Sequence, residues 1–121
     1  MSELIYWHNP RCTKSREGLA LLRAKGIHPE VREYMKDIPT TGELKAVLDK
    51  LALPSAREMM RTKEAAYKSK GLADETDEDV LIEAMAEEPR LIERPILISD
   101  TKAAIGRPTE ELLRAIPSGA D

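Results

Sequence analysis

The sequence has little sulfur and few aromatic side chains. Its 121 residues include a single cysteine, Cys12, together with one tryptophan, three tyrosines and no phenylalanine. One cysteine excludes an intrachain disulfide, and one cysteine with two histidines falls short of the four ligands of a structural zinc site. The hydrophobic core is therefore expected to consist of Leu, Ile, Val, Ala and Met.

Long apolar runs and excess positive charge are also missing. No apolar run approaches the roughly 20 residues that cross a bilayer, and the first residues carry no apolar signal region. The net charge of -3 gives no overall basic field that would attract nucleic acid. We expect a soluble protein of the reducing cytoplasm that binds neither nucleic acid nor membranes.

The first third of the chain predicts a βαβ unit. Residues 4–7 form a short apolar segment rich in strand formers, and residues 8–10 are typical of a turn. Thr13 or Ser15 can cap the helix that follows. Residues 31–35 then predict a second strand, parallel to the first because a helix connects the two.

The middle of the chain, residues 40–89, predicts a series of short helices. Thr40 and Glu43 have the spacing of a capping box, in which each side chain bonds the other residue's backbone N–H. Thr76 and Asp79 repeat a similar pattern before a later helix.

The last third predicts a β-hairpin and a final helix. Residues 95–98 begin with Pro95 and form an apolar run that predicts a buried strand, and residues 102–105 predict its partner. Leu112, Leu113 and Ile116 lie in the final helix.

This order of elements is that of an α/β, thioredoxin-like fold with a helical insertion between the βαβ unit and the β-hairpin. We expect one domain over residues 1–117, with the insertion at about 40–89 and a flexible tail at 118–121. Thioredoxin-like folds place a cis-proline beside the reactive cysteine, and Pro95 occupies that position in the layout.

Cys12 is the main candidate for chemistry. It lies between a turn and a helix start, where free N–H groups and the helix dipole favour a thiolate, although a buried core cysteine is the alternative. The segment from Asn9 to Ser15 can direct successive N–H groups at one anion. The Ser15 hydroxyl is expected either to bond the thiolate or to cap the helix. His8 is expected either to tune the thiolate or to bond the backbone of the turn.

Three arginines, Arg61, Arg94 and Arg107, lie next to structural boundaries and outside charged runs. Each alone would be interpreted as a surface charge. A hairpin over residues 95–105 would bring Arg94 and Arg107 together at its open end, and planar guanidinium groups suit tetrahedral oxyanions.

Four dispersed motifs in this chain resemble the glutaredoxin-linked arsenate reductase family, and in particular its short arsenate-reductase-like subgroup. The motifs are His-Asn-Pro-Arg-Cys-Thr-Lys-Ser-Arg at 8–16, Glu-Met-Met-Arg at 58–61, Glu-Arg-Pro-Ile at 93–96 and Ile-Gly-Arg-Pro at 105–108.

The resemblance implies that Cys12 is the nucleophile, that His8 helps to lower the thiol pKa, and that Arg61, Arg94 and Arg107 form an oxyanion site. Asn9, Ser15 and Pro95 would support that site.

The implied activity is reduction of arsenate to arsenite through a Cys12 thiol–arsenate adduct. The reduction takes two electrons, normally from two thiols, and a chain with one thiol needs a second from outside. By the resemblance, glutathione is the co-substrate and glutaredoxin then removes it. We also expect a monomer with no tightly bound cofactor. Three alternatives stay open: a thiol oxidoreductase acting on another oxyanion or a mixed disulfide, a redox-responsive regulator that binds RNA polymerase, and a plain binding module.

Overall fold

The computed structural model describes residues 4–116, which form two compact units. Ile38–Glu93 is one unit, and residues 4–37 with 94–116 form the other. The predicted tail at 118–121 lies outside the described residues.

The first unit contains a four-stranded mixed sheet. Its elements are strand β1 (Ile5–His8), helix α1 (Thr13–Ala24), and strands β2 (Glu30–Glu33), β3 (Ile96–Ile98) and β4 (Ala103–Ile105). The strand order is β2-β1-β3-β4. As predicted, β1 and β2 are parallel, and β3 and β4 form an antiparallel hairpin. Strand β3 also pairs antiparallel with β1, so β1 lies inside the sheet.

Two elements of this unit differ from the sequence prediction. Strand β2 ends at Glu33, earlier than expected, because the N–H groups of Lys36 and Asp37 both turn back to the Glu33 carbonyl. The final helix is a 3₁₀ segment, Thr109–Ala115, whose buried residues Leu112 and Ala115 are three positions apart. That spacing suits three residues per turn.

The core of the first unit joins α1, the sheet and the 3₁₀ segment. Its buried members are Tyr6, Leu19, Leu22, Leu97, Ala104, Leu112 and Ala115. Alternation along β1 directs Tyr6 and His8 to the same face of the sheet. The rings of these two residues are 5.6 Å apart, so the strand presents both to α1.

The second unit is helical. Its α-helices are α2 (Thr41–Leu51), α3 (Ala65–Ser69) and α4 (Glu78–Glu87), and its 3₁₀ segments are Ala56–Met59, Leu72–Asp74 and Pro89–Leu91. These elements supply the predicted helices between the βαβ unit and the hairpin.

In the second unit, one of the two predicted helix caps is present and the other is formed by a different residue. The predicted capping box is confirmed: Glu43 N–H donates to Thr40 Oγ1 at 3.1 Å, and Thr40 N–H donates to Glu43 Oε1 at 3.0 Å. The predicted Thr76–Asp79 cap is wrong, because Asp77 is the cap of α4 and its carboxylate accepts the Asp79 N–H at 2.9 Å. A carboxylate at this position also interacts favourably with the helix dipole.

The predicted α/β, thioredoxin-like fold with its inserted helices is thus confirmed. Among residues 4–116, no helix is both long enough and apolar enough to span a membrane.

Candidate active site

Cys12 is the N-cap residue of α1. Its backbone is extended, its N–H donates to the Asn9 carbonyl at 3.0 Å, and its carbonyl accepts the Arg16 N–H at 3.0 Å. The Asn9 side chain stabilises the same turn, since Oδ1 accepts the Arg11 N–H at 3.0 Å. The side chain of Cys12 is half-buried at the open N-terminus of the helix. The predicted position of the thiol at a helix start is confirmed.

The surroundings of Cys12 favour the thiolate. Partial burial would by itself raise the pKa of the thiol, but the Arg94 guanidinium and the backbone N–H groups of Ser15 and Lys14 act in the opposite direction and outweigh it. The net result is a Cys12 pKa below its usual value. A thiol whose pKa is lowered is present as the nucleophilic form at lower pH than free cysteine.

Arg94 contacts Cys12 and has unused hydrogen-bonding capacity. Its guanidinium lies by the Cys12 sulfur and the hydroxyl of Tyr34, whose side chain is fully buried. Its Nε and Nη1 atoms are buried, and within residues 4–116 they have no hydrogen-bond acceptor. Burying such donors without a partner is costly, so a guanidinium in this state is suited to an incoming anion.

Arg107 lies at the same end of the hairpin as Arg94. Its Nε donates to the Arg94 carbonyl at 3.0 Å, so the sequence-based expectation that the hairpin brings these arginines together is confirmed. Between them, the Gly106 N–H donates to the Pro95 carbonyl at 2.8 Å. The Arg94–Pro95 bond is cis, as the thioredoxin-like layout favours, and the Arg107–Pro108 bond is cis as well.

Ser15 adopts neither of the two expected arrangements. It is a buried residue inside the first turn of α1, and Cys12 is the cap. Its hydroxyl is hydrogen-bonded to His8 Nδ1 at 2.7 Å and accepts the Asn9 N–H at 2.9 Å. The part of Ser15 that faces the thiol is its backbone N–H, not its hydroxyl.

His8 contacts Ser15, and its surroundings favour the neutral imidazole. Burial, followed by the nearby cations of Arg23 and Arg16, lowers its pKa against the opposing effect of Glu33. An uncharged imidazole cannot stabilise a thiolate as a cation would. An effect of His8 on the Cys12 thiol through the Ser15 hydrogen bond stays a prediction.

Arg61 belongs to the second unit. Its backbone N–H donates to the Leu91 carbonyl at 2.7 Å, and its Nε lies 3.3 Å from Glu64 Oε2. Its part in an oxyanion site remains a prediction.

Two tyrosines near the site were missed at the level of the sequence. The hydroxyl of Tyr34 lies at Arg94, and the hydroxyl of Tyr6 donates to the Ser15 carbonyl at 2.7 Å. The sequence signal for Tyr6 is its position two residues before His8, which places both on one face of β1. Tyr34 follows the end of its strand, where alternation gives no guidance.

The described part of the chain holds no group of three or more His, Cys, Asp or Glu side chains that could bind a metal ion. The first unit brings together a cysteine whose surroundings favour the thiolate, a half-buried guanidinium with two buried, unpaired donors, and the N–H groups of a helix start. These features suit attack by sulfur on a bound oxyanion.

Comparison with known proteins agrees with this arrangement. The ArsC family matches residues 7–115. The chain is 48% identical to an arsenate reductase of Neisseria meningitidis over 113 residues, which are 93% of this chain and 97% of that protein. It is 45% identical to an arsenate reductase of Haemophilus influenzae over 117 residues, covering 96% and 100% of the two chains.

A solved structure of an arsenate reductase from Vibrio cholerae superposes with a TM-score of 0.91 at 45% identity, covering 94% of this chain and 98% of that one. The family match extends over almost the whole chain and includes Cys12, Arg61, Arg94 and Arg107. This protein therefore belongs to the ArsC family.

Proposed function

We propose that the protein reduces arsenate to arsenite, with Cys12 as the nucleophile. The observation that carries the proposal is the half-buried guanidinium of Arg94, which lies beside the Cys12 sulfur with two buried donors that no described residue accepts. Relatives that are 45–48% identical to this chain are named arsenate reductases, which supports the choice of arsenate as substrate.

Arsenate would bind as a dianion between the start of α1 and the open end of the hairpin. Arg94 donates to its oxygens, and Arg107 adds a second positive charge next to Arg94. The family resemblance implies that Arg61 supplies a third. The charges are needed because a dianion and a thiolate repel each other. Asn9, Ser15 and Pro95 hold the backbone around the thiol in place.

In the first step, the Cys12 thiolate attacks arsenic and forms a sulfur–arsenic bond. One arsenic–oxygen bond breaks, and the departing oxygen takes up two protons and leaves as water. Arsenic remains As(V) in this adduct. The positive charge of the arginines and the N–H groups at the start of α1 stabilise the developing negative charge on the remaining oxygens.

In the second step, an external thiolate, for which we propose glutathione, attacks the Cys12 sulfur. A disulfide forms between Cys12 and glutathione, and the electron pair of the sulfur–arsenic bond goes to arsenic, which leaves as arsenite. Two thiols are thereby oxidised and As(V) is reduced to As(III). Glutaredoxin then attacks the glutathione sulfur and releases the Cys12 thiolate, so a monomer with no tightly bound cofactor can turn over.

The test is arsenate-dependent NADPH oxidation in the presence of glutathione, glutaredoxin and glutathione reductase. Cys12→Ser should abolish it. Arg94→Ala should lower kcat/KM by roughly 10- to 100-fold, since a hydrogen bond to a charged group contributes about 1.5–3 kcal/mol. The matched control is Arg114→Ala, which removes an exposed arginine that forms an ion pair with Glu111.

Equal turnover in wild type and Cys12→Ser would refute the nucleophile. Equal kcat/KM in wild type and Arg94→Ala would refute the anion site. Cys12-dependent reduction of a glutathione mixed disulfide, with no arsenate turnover, would keep the thiol chemistry and replace the substrate.

A further inference from the structure

Two residues of strand β1 form hydrogen bonds to Ser15. The Tyr6 hydroxyl donates to the Ser15 carbonyl at 2.7 Å, and His8, two residues along the same strand, bonds the Ser15 hydroxyl at 2.7 Å. Both tyrosine and serine side chains are fully buried. The strand therefore fixes the backbone and the side chain of one residue in the first turn of α1.

The Tyr6 hydroxyl occupies a space that only glycine leaves open. A Cβ at Gly18, on the facing side of α1, would overlap the Tyr6 oxygen and lie 2.8 Å from Leu112 Cδ1. The Leu19 backbone also lies close to the same oxygen. Burial raises the pKa of Tyr6 above its ordinary value of about 10, so the phenol stays protonated as a donor.

The residue held by Tyr6 is also the residue whose N–H faces the thiol. The backbone N–H of Ser15 stabilises the Cys12 thiolate together with that of Lys14. A hydrogen bond depends steeply on distance and angle, so a small displacement of this turn changes how well the N–H meets the sulfur.

We infer that Tyr6 is a positioning residue for the Cys12 thiolate, acting through its hydrogen bond to the Ser15 carbonyl, with Gly18 providing the room for it. The inference rests on the proposed function in so far as Cys12 is the nucleophile. It adds to that function a residue that touches neither substrate nor sulfur.

The test is the pH profile of Cys12 alkylation by iodoacetamide, which needs no arsenate and reports the thiolate fraction. Tyr6→Phe should raise the thiol pKa and slow alkylation about two- to tenfold at pH 6.5, the range that a net hydrogen-bond contribution supports. The plateau at high pH should stay unchanged. The matched control is Tyr67→Phe, which removes a buried hydroxyl bonded to Arg57 in the second unit and should leave the profile unchanged.

A second variant, Gly18→Ala, keeps the phenol but pushes its hydroxyl away from the Ser15 carbonyl by steric overlap, so it covers the case in which Tyr6→Phe does not fold. The thiol pKa should be raised in this variant as well. A wild-type profile in either folded variant, or an equal shift in Tyr67→Phe, would overturn the inference. A wild-type thiol pKa no lower than that of free cysteine would instead count against the proposed nucleophile.

Discussion

The same substitution, glycine to alanine inside a helix, should have opposite effects at Gly18 and at Gly42. Alanine is favoured over glycine in a helix by about 0.5–1 kcal/mol. At Gly42, in the first turn of α2, the nearest atom to a new Cβ is Thr40 Oγ1 at 3.8 Å, an ordinary contact. Gly42→Ala should therefore stabilise the protein by up to about 1 kcal/mol.

At Gly18 the helix preference is outweighed by steric overlap. The new Cβ would meet the Tyr6 hydroxyl, Leu112 Cδ1 at 2.8 Å and Pro95 Cγ at 3.1 Å, and all three belong to packed residues. Overpacking of this kind costs about 1–3 kcal/mol, and displacement of Tyr6 loses a hydrogen bond of about 1 kcal/mol. After the gain in helix preference, we expect Gly18→Ala to destabilise the protein by about 1–3 kcal/mol.

The measurement is equilibrium denaturation in urea followed by circular dichroism, with thermal unfolding as a second readout. The expected loss corresponds to a fall in Tm of roughly 3–6 °C for each kcal/mol. Gly18→Ala should lose less in the Tyr6→Phe background, because one of the three overlaps is gone. A Gly18→Ala protein as stable as Gly42→Ala would show that the reasoning about close approach is wrong.

Three further results are expected. Arg94→Lys keeps the positive charge but loses the planar guanidinium and its paired donors. It should raise the KM for arsenate and shift the Cys12 alkylation profile to higher pH. Unchanged values would argue against bidentate binding of the anion by Arg94. Burial lowers the pKa of His8 below its ordinary value of about 6.5. As the pH falls, His8 is therefore protonated in the unfolded chain before it is protonated in the folded one. The free energy of unfolding should fall as the pH drops below about 6.5. Denaturant titrations between pH 7 and 5.5 should show this slope in wild type and a flatter one in His8→Gln, and equal slopes would contradict it. Thr40→Ala removes the capping box with Glu43 and should cost about 1 kcal/mol in urea denaturation, with no change in alkylation of Cys12; a stability equal to wild type would mean that the cap contributes little.

Local chemistry explains why much of the fold was predictable. The apolar segments that became β1 and β3 are bounded by turn residues and proline, and the Thr40–Glu43 box is a contact between residues three positions apart. The start of α4 was placed wrongly because Thr76 and Asp77 are both capable caps, and the choice depends on which side chain reaches the first free N–H groups. The 3₁₀ form of the last segment depends on packing that local propensity does not contain.

The candidate site was predictable where it depends on chain direction and unpredictable where it depends on side-chain orientation. A turn before a helix places Cys12 at the N-terminus of that helix, and a hairpin brings Arg94 near Arg107. Neither placement depends on the rest of the fold. The Ser15 hydroxyl turns away from the thiol because His8 and the Asn9 N–H bind it. Those partners come from the face of the neighbouring strand, which the sequence around Ser15 does not reveal.

The half-buried Cys12 has a consequence for oxidation of the protein during storage. A thiol whose pKa is lowered reacts readily with peroxide to give a sulfenic acid, and proteins with a second cysteine nearby trap that state as a reversible disulfide. This chain has no second cysteine, so its sulfenic acid is open to further oxidation to the irreversible sulfinic acid unless a small thiol intercepts it. Activity lost on storage should therefore appear as a mass increase of two oxygen atoms on Cys12 in a protein that is still folded, and added glutathione should prevent it.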